Sequence, residues 1–126
     1  MPKLDRTPTG AGPIVEGFTG GGFRSGGEIY HGGLMLTPEQ AIGWTAPALP
    51  DLAEQDFVPL FALQPPLEFL LLGTGATLAR PPASLIAALD ARGIGIEAMD
   101  SRAAARTWGL LRGEGRWIAA ALLPFE

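Results

Sequence analysis

Cysteine is absent from this chain of 126 residues, and histidine, lysine and tyrosine each occur once. Without a thiol there is no cysteine nucleophile, no disulfide and no thiolate ligand for zinc or an iron–sulfur cluster. Redox chemistry would need a borrowed cofactor. His31 is the single histidine, which excludes a multi-histidine metal site and leaves a serine–histidine–carboxylate triad only that one imidazole to use. Between Tyr30 and Gly32-Gly33 it reads as the end of a hairpin. Lys3 is the single lysine and falls in the apparent N-terminal tail, which removes a buried Schiff-base lysine and the lysine of a phosphate-binding P-loop. The expectation is therefore no cofactor, no metal and no assigned catalytic residue.

Long apolar runs are missing as well. No stretch approaches the roughly 20 residues that span a bilayer, and the polar N-terminus lacks a signal-peptide core. A cytoplasmic protein that does not span a membrane is expected. The net charge is −4, unevenly spread. Residues 1–79 carry three basic and eight acidic side chains, whereas residues 80–116 carry six arginines against Asp90, Glu97, Asp100 and Glu114. That balance argues against nucleic-acid binding, which needs a strongly basic face to neutralise phosphates.

What the chain has is a readable order of elements in its second half. Leu67-Glu68-Phe69-Leu70-Leu71-Leu72 is too apolar to be half-exposed and reads as a strand covered on both faces. Pro81 and Pro82 suit the first turn of a helix, where a missing amide hydrogen costs nothing, and Leu85, Ile86 and Leu89 recur at helical spacing up to a stop at Gly93. Ile94 to Met99 reads as the next strand, which makes a right-handed parallel crossover. Asp100 or Ser101 caps a second helix with the apolar stripe Ala104, Ala105, Trp108 and Leu111. Gly113 to Gly115 ends it, and Trp117 to Leu123 supplies the last strand. The second half is thus β-α-β-α-β in an α/β domain.

The first half is rich in glycine. Ile14 to Gly17, Gly27 to His31 and Leu34 to Thr37 read as short hairpin strands separated by Gly20-Gly21-Gly22 and Gly32-Gly33. Leu52 to Leu63 reads as a helix interrupted by Pro59. An antiparallel layer packed on or extending the main sheet is expected. With 47% apolar residues, one core suffices, giving a single domain over residues 13–126 behind a flexible tail, Met1 to Gly12.

Gly73-Thr74-Gly75 is the most site-like element, because it leaves the carboxyl end of a buried strand, where open α/β sheets place ligand crevices and glycine lets an anion approach backbone amides. Leu78 stands where a dinucleotide fingerprint would need its third glycine, so that signal fails. Asp100 and Ser101 follow the second strand in the same way, which directs both turns to one side. Arg80, Arg102 and Arg106, with Thr107, follow close in sequence, so hydroxyls, a carboxylate and guanidinium groups gather in one region. Equally, the glycines make a tight turn, Asp100 and Ser101 cap a helix, and Arg106 braces a carbonyl or carboxylate.

The strings Leu71-Leu72-Gly73-Thr74-Gly75, Gly93-Ile94, Met99-Asp100-Ser101, Ala104-Ala105-Arg106-Thr107 and Glu114-Gly115-Arg116, with Ala119 to Leu122, resemble the Mth938-like domain family. Gly20-Gly21-Gly22-Phe23, Gly33 to Pro38 and Trp44 fit it too, so the resemblance runs from about Ile14 onward. It implies a compact three-layer α/β domain with a mixed sheet. It also implies an interaction or assembly role, since the family is similar to a mitochondrial complex I assembly factor and to an adipogenesis-associated mammalian protein. Family members commonly carry Cys-Arg-Thr-Tyr-Asn where this chain reads Ala105-Arg106-Thr107-Trp108-Gly109, so the thiol, phenol and amide are gone.

Two functional readings follow. In one, a noncatalytic domain binds a protein partner, linked to assembly of a membrane complex, through an apolar surface with Phe23, Tyr30, Trp44, Phe57 and Phe61 as candidates, although most large aromatics are simply core; self-association is an option for the same surface. In the other, a small-molecule or anion-binding protein or enzyme uses Gly73, Thr74, Gly75, Asp100, Ser101, Arg106 and Thr107, with Asp100 as carboxylate and Arg106 as anion clamp.

Overall fold

Leu70, Leu71 and Leu72 are each no more than 1% exposed, although successive strand residues face opposite sides of a sheet. Both faces must therefore be covered. In the computed structural model, which describes residues 12–125, these leucines lie in β6 (Phe69–Gly73), the second strand from one edge of a five-stranded sheet. The sheet has the order β5-β4-β8-β6-β7, formed by β4 (Leu34–Leu36), β5 (Ala41–Gly43), β7 (Gly95–Met99) and β8 (Ala119–Leu122). β6 runs parallel to both β7 and β8, whereas β4 is antiparallel to β8 and to β5, so the sheet is mixed.

The chain leaves β6 into α2 (Ala83–Asp90), returns as β7, passes through α3 (Ser101–Gly113) and ends in β8. Leu85 and Leu89 of α2 join Leu70, Leu72, Ala119 and Ala121 on one face. Ala104, Ala105 and Trp108 of α3 join Leu71, Ala120 and Leu122 on the other. This is the three-layer α/β arrangement that the sequence and the family resemblance lead one to expect. Each large side chain so buried contributes roughly 1.5–3 kcal/mol of transfer free energy. The Trp108 ring also donates from Nε1 to the Pro13 carbonyl at 2.9 Å, which ties the start of the described chain to α3.

The glycine-rich half contributes to both layers. A separate sheet of β1 (Gly17–Thr19), β2 (Gly22–Ser25) and β3 (Glu28–Tyr30) packs Phe23 onto the α3 face. Gly20 and Gly21 both take positive φ, 55° and 78°, the geometry of a two-residue turn that fixes the register Thr19↔Gly22. Two expectations need correction here, and one strand is added. The first strand is Gly17–Thr19 rather than Ile14 to Gly17: regular pairing with β2 starts at Gly17↔Arg24, and before it only single bonds cross, such as that from the Glu16 amide to the Arg24 carbonyl at 2.7 Å. Gly22, expected as spacer, begins β2 itself, and Ala41–Gly43 forms a further short edge strand.

The expected helix from Leu52 to Leu63 is a 3-10 turn, Glu54–Phe57, followed by the short α1 (Val58–Phe61). Pro59 lacks an N–H and sits in the first turn of α1, so it starts a helix and cannot continue one. Asp56 Oδ2 accepts from the Ala53 amide at 2.8 Å and closes the first turn. Ile86, expected in the buried stripe of α2, is exposed at its margin. The expected tail, Met1 to Gly12, lies outside the described residues except for Gly12.

Candidate functional site

Because β6 and β7 are parallel, the turns at their carboxyl ends emerge on the same side, and the structure brings Gly73, Thr74, Gly75, Asp100 and Ser101 together there. The two turns are stitched to each other. The Thr74 amide donates to the Met99 carbonyl at 2.9 Å, and the Ser101 amide donates to the Gly75 carbonyl at 2.8 Å. Ser101, with no exposed surface, accepts from the Gly75 amide at 2.9 Å and donates from Oγ to the Leu123 carbonyl at 2.6 Å. Leu123 in turn donates its amide to the Gly73 carbonyl at 3.0 Å, which joins the end of β8 to the same crest.

The remaining polar groups of the crest are also engaged. Thr74 Oγ1 donates to the Thr77 carbonyl at 2.7 Å and accepts from the Ala79 amide at 3.1 Å, so it shapes the loop toward α2. Asp100 Oδ1 accepts from the Ala103 amide at 2.9 Å and caps the first turn of α3, as its position before the helix leads one to expect. Gly73 leaves no room beside it: a Cβ there would lie 2.7 Å from Ser101 Oγ. A hydroxyl whose donor and acceptor are both committed inside the fold is not poised to attack a substrate.

Arg106 and Thr107 sit further along α3, and no hydrogen bond or ion pair among the described residues joins either to the turns. Arg102 lies over Phe125, its guanidinium carbon 4.3 Å from the ring centroid. Arg80 is exposed on the loop leading to α2, without an ion-pair partner among the described residues. His31 follows β3, beside the β1–β2 turn. No group of three or more histidine, aspartate and glutamate side chains with metal-binding geometry occurs among the described residues.

Among the described residues, the one clearly shifted carboxylate lies elsewhere, at the amino end of β6. The Arg116 guanidinium holds Glu68 below the usual carboxylate range through bonds of 3.0 and 2.8 Å to Oε1, and the Trp117 amide adds one of 3.2 Å to Oε2. Glu68 is on the protein surface, and this network ties β6 to the approach of β8.

Burial decides between the two readings of the aromatics in favour of the core. Phe23 and Phe57 have no exposed surface, because each fills a core layer, and Tyr30, Trp44 and Phe61 pack against those layers. Large apolar side chains that do reach solvent include Phe18, Ile29, Leu78 and Leu110. Leu78 is 65% exposed and borders a groove of about 310 Å³ with Ala79, Arg80, Pro81 and Ala98. This groove escapes a sequence reading because its apolar wall comes from a loop with no periodicity. The one local signal was Arg80, a charge within an otherwise apolar stretch.

Fold and crest together define a three-layer α/β domain of the Mth938-like type, with its loop hydroxyls turned inward to hold strand ends together. The chain belongs to the family described as a protein of unknown function, DUF498/DUF598, whose pattern matches residues 15–123. It is 38% identical over 120 residues to an uncharacterised protein of Rhodobacter capsulatus, covering 94% of this chain and 91% of that one. It is also 32% identical over 114 residues to the NADH dehydrogenase [ubiquinone] 1 alpha subcomplex assembly factor 3 of Danio rerio, covering 90% of this chain and 66% of that protein. Among solved structures, a Mth938-like domain of Bordetella pertussis superimposes with a TM-score of 0.76 at 28% identity, covering 97% of this chain and 92% of that one.

Proposed function

We propose that this chain is a noncatalytic protein-interaction domain of the assembly-factor kind, working on a partner that belongs to a membrane complex. The observation that carries this reading is the closure of the crest: the Thr74 and Ser101 hydroxyls are spent on backbone groups of the fold, and Asp100 Oδ1 caps the first turn of α3. The name of one relative, NADH dehydrogenase [ubiquinone] 1 alpha subcomplex assembly factor 3, supports this partner class. A cytoplasmic location belongs to the same proposal; no helix among the described residues is long and apolar enough to cross a membrane.

The test is affinity purification of the full chain from cells after mild in-cell crosslinking, with partners identified by mass spectrometry. A reproducible partner that is a subunit or assembly factor of a membrane complex is the expected outcome. The rival reading, a small-molecule or anion site at Gly73 to Gly75 with Asp100 and Arg106, is checked on the same protein by thermal-shift measurements with phosphate, nucleotides and carboxylates. A ligand-specific rise in melting temperature that Arg106→Ala removes, with no partner captured, would replace the interaction reading.

A further inference from the structure

We propose that the open edge of β7, with the groove beside it, takes up an extended acidic segment of a partner protein as a sixth strand of the sheet. The proposal rests on the interaction reading above and names its surface. β7 closes one side of the five-stranded sheet and, among the described residues, pairs only with β6. In a parallel ladder, alternate residues direct both backbone groups to the same side. Met99 accepts from Thr74 on the β6 side, so Gly95, Glu97 and Met99 face β6, and Ile96 and Ala98 present their N–H and C=O to the outside. No backbone hydrogen bond among the described residues covers Ile96 or Ala98 from that side.

Proteins usually blunt such an edge with proline, lysine, a bulge or a covering segment. Gly95–Met99 pairs residue for residue with Phe69–Gly73, contains neither proline nor lysine, and carries a single charge, Glu97. Ala98 lies at the outer edge and also lines the groove of about 310 Å³ formed with Leu78, Ala79, Arg80 and Pro81. An added strand would hydrogen-bond to Ile96 and Ala98 and place an alternate side chain into that groove. Leu78 and Pro81 give the groove an apolar wall, and Arg80, without an ion-pair partner among the described residues, gives it a guanidinium. A bidentate carboxylate is the natural complement of that group. The occupant is therefore an extended segment with an apolar side chain and an aspartate, glutamate or terminal carboxylate beside it. A second copy of β7 fits less well: paired antiparallel in full register about a twofold axis, Glu97 would oppose its own counterpart, and like charges directly opposite are destabilising.

The test uses a displayed library of random ten-residue peptides selected on the full chain, followed by binding and hydrogen exchange with the peptide so obtained. Selected peptides should be enriched in carboxylates, and binding should slow exchange at the Ile96 and Ala98 amides. Affinity should fall at least tenfold in Arg80→Glu and in Ala98→Pro, whose lost amide faces outward and so costs no bond to β6. It should hold within twofold in Arg106→Glu. Should Ala98→Pro fail to fold, Leu78→Glu tests the same wall from the loop. The proposal is overturned if no peptide is selected, if Arg80→Glu binds equally well, or if the two amides gain protection only through concentration-dependent dimerisation. A crosslinked partner from cells that Arg80→Glu still captures would sink the edge proposal and leave the interaction reading standing.

Discussion

Gly73 and Ser101 approach each other so closely that a Cβ on Gly73 would lie 2.7 Å from Ser101 Oγ and 2.8 Å from Ser101 Cα. The second distance matters more, since a backbone atom at the start of α3 cannot rotate away as a side-chain end can. Glycine at this position is therefore required by packing between β6 and α3.

Gly73→Ala should destabilise the fold by about 1–3 kcal/mol, the usual cost of overpacking, which outweighs the roughly 0.4–1 kcal/mol gained by restricting the unfolded chain. Gly95 on the neighbouring strand has nothing within 4 Å of its added Cβ and no positive φ. Gly95→Ala should therefore keep the unfolded-chain gain and stabilise by about 0.4–1 kcal/mol. Urea denaturation of the two variants decides the matter, and a Gly73→Ala protein as stable as the parent would refute the close approach.

Ser101 and Asp100 are adjacent in sequence, and their removal should have unequal costs. Ser101→Ala leaves the buried Gly75 amide and Leu123 carbonyl without their partner, at roughly 1–3 kcal/mol for each unsatisfied group. Asp100→Ala loses one helix cap, at about 0.5–2 kcal/mol, and Asp100→Asn should restore most of it because asparagine caps equally well. Thermal melts of the three variants should rank Ser101→Ala lowest and Asp100→Asn nearest the parent. If Asp100→Asn were the least stable, the carboxylate would have a role beyond capping.

The second half of the chain was legible because its physics is local. The leucine run at β6, the capping carboxylate at Asp100 and the stripe Ala104, Ala105 and Trp108 each carry their own periodicity or end signal. The first half was less so, since three-residue strands such as β5 have no room for a period and depend on β4 for their partners. That the turns after β6 and β7 meet was also legible, because parallel strands must end on one side. Whether they form a crevice was not. It depends on the direction of the Ser101 hydroxyl, and that hydroxyl turns inward to Leu123. Which large aromatics are core was only partly legible: Phe57 carries helical spacing with Leu60 and Phe61, whereas Phe23 follows three glycines with no period of its own, and the two fill opposite core layers.

Glu68 gives the fold a small acid sensitivity whose sign follows from its partners. Arg116 and the Trp117 amide favour the ionised carboxylate, so its folded-state pKa is lowered from the ordinary glutamate value. The native state thus binds the proton less readily than the unfolded chain. This contribution is present above the unfolded pKa and is lost as pH falls through the lowered folded one. Glu68→Gln should therefore melt slightly below the parent at neutral pH, and the gap should close in strongly acidic buffer. Both side chains of the pair are more than 40% exposed, so the effect should be small and should shrink further in molar salt. Melting temperatures of parent and variant across the acid range test this directly. A gap that stays constant with pH would assign the loss to the Trp117 amide contact and the fit of the side chain, with no part for its charge.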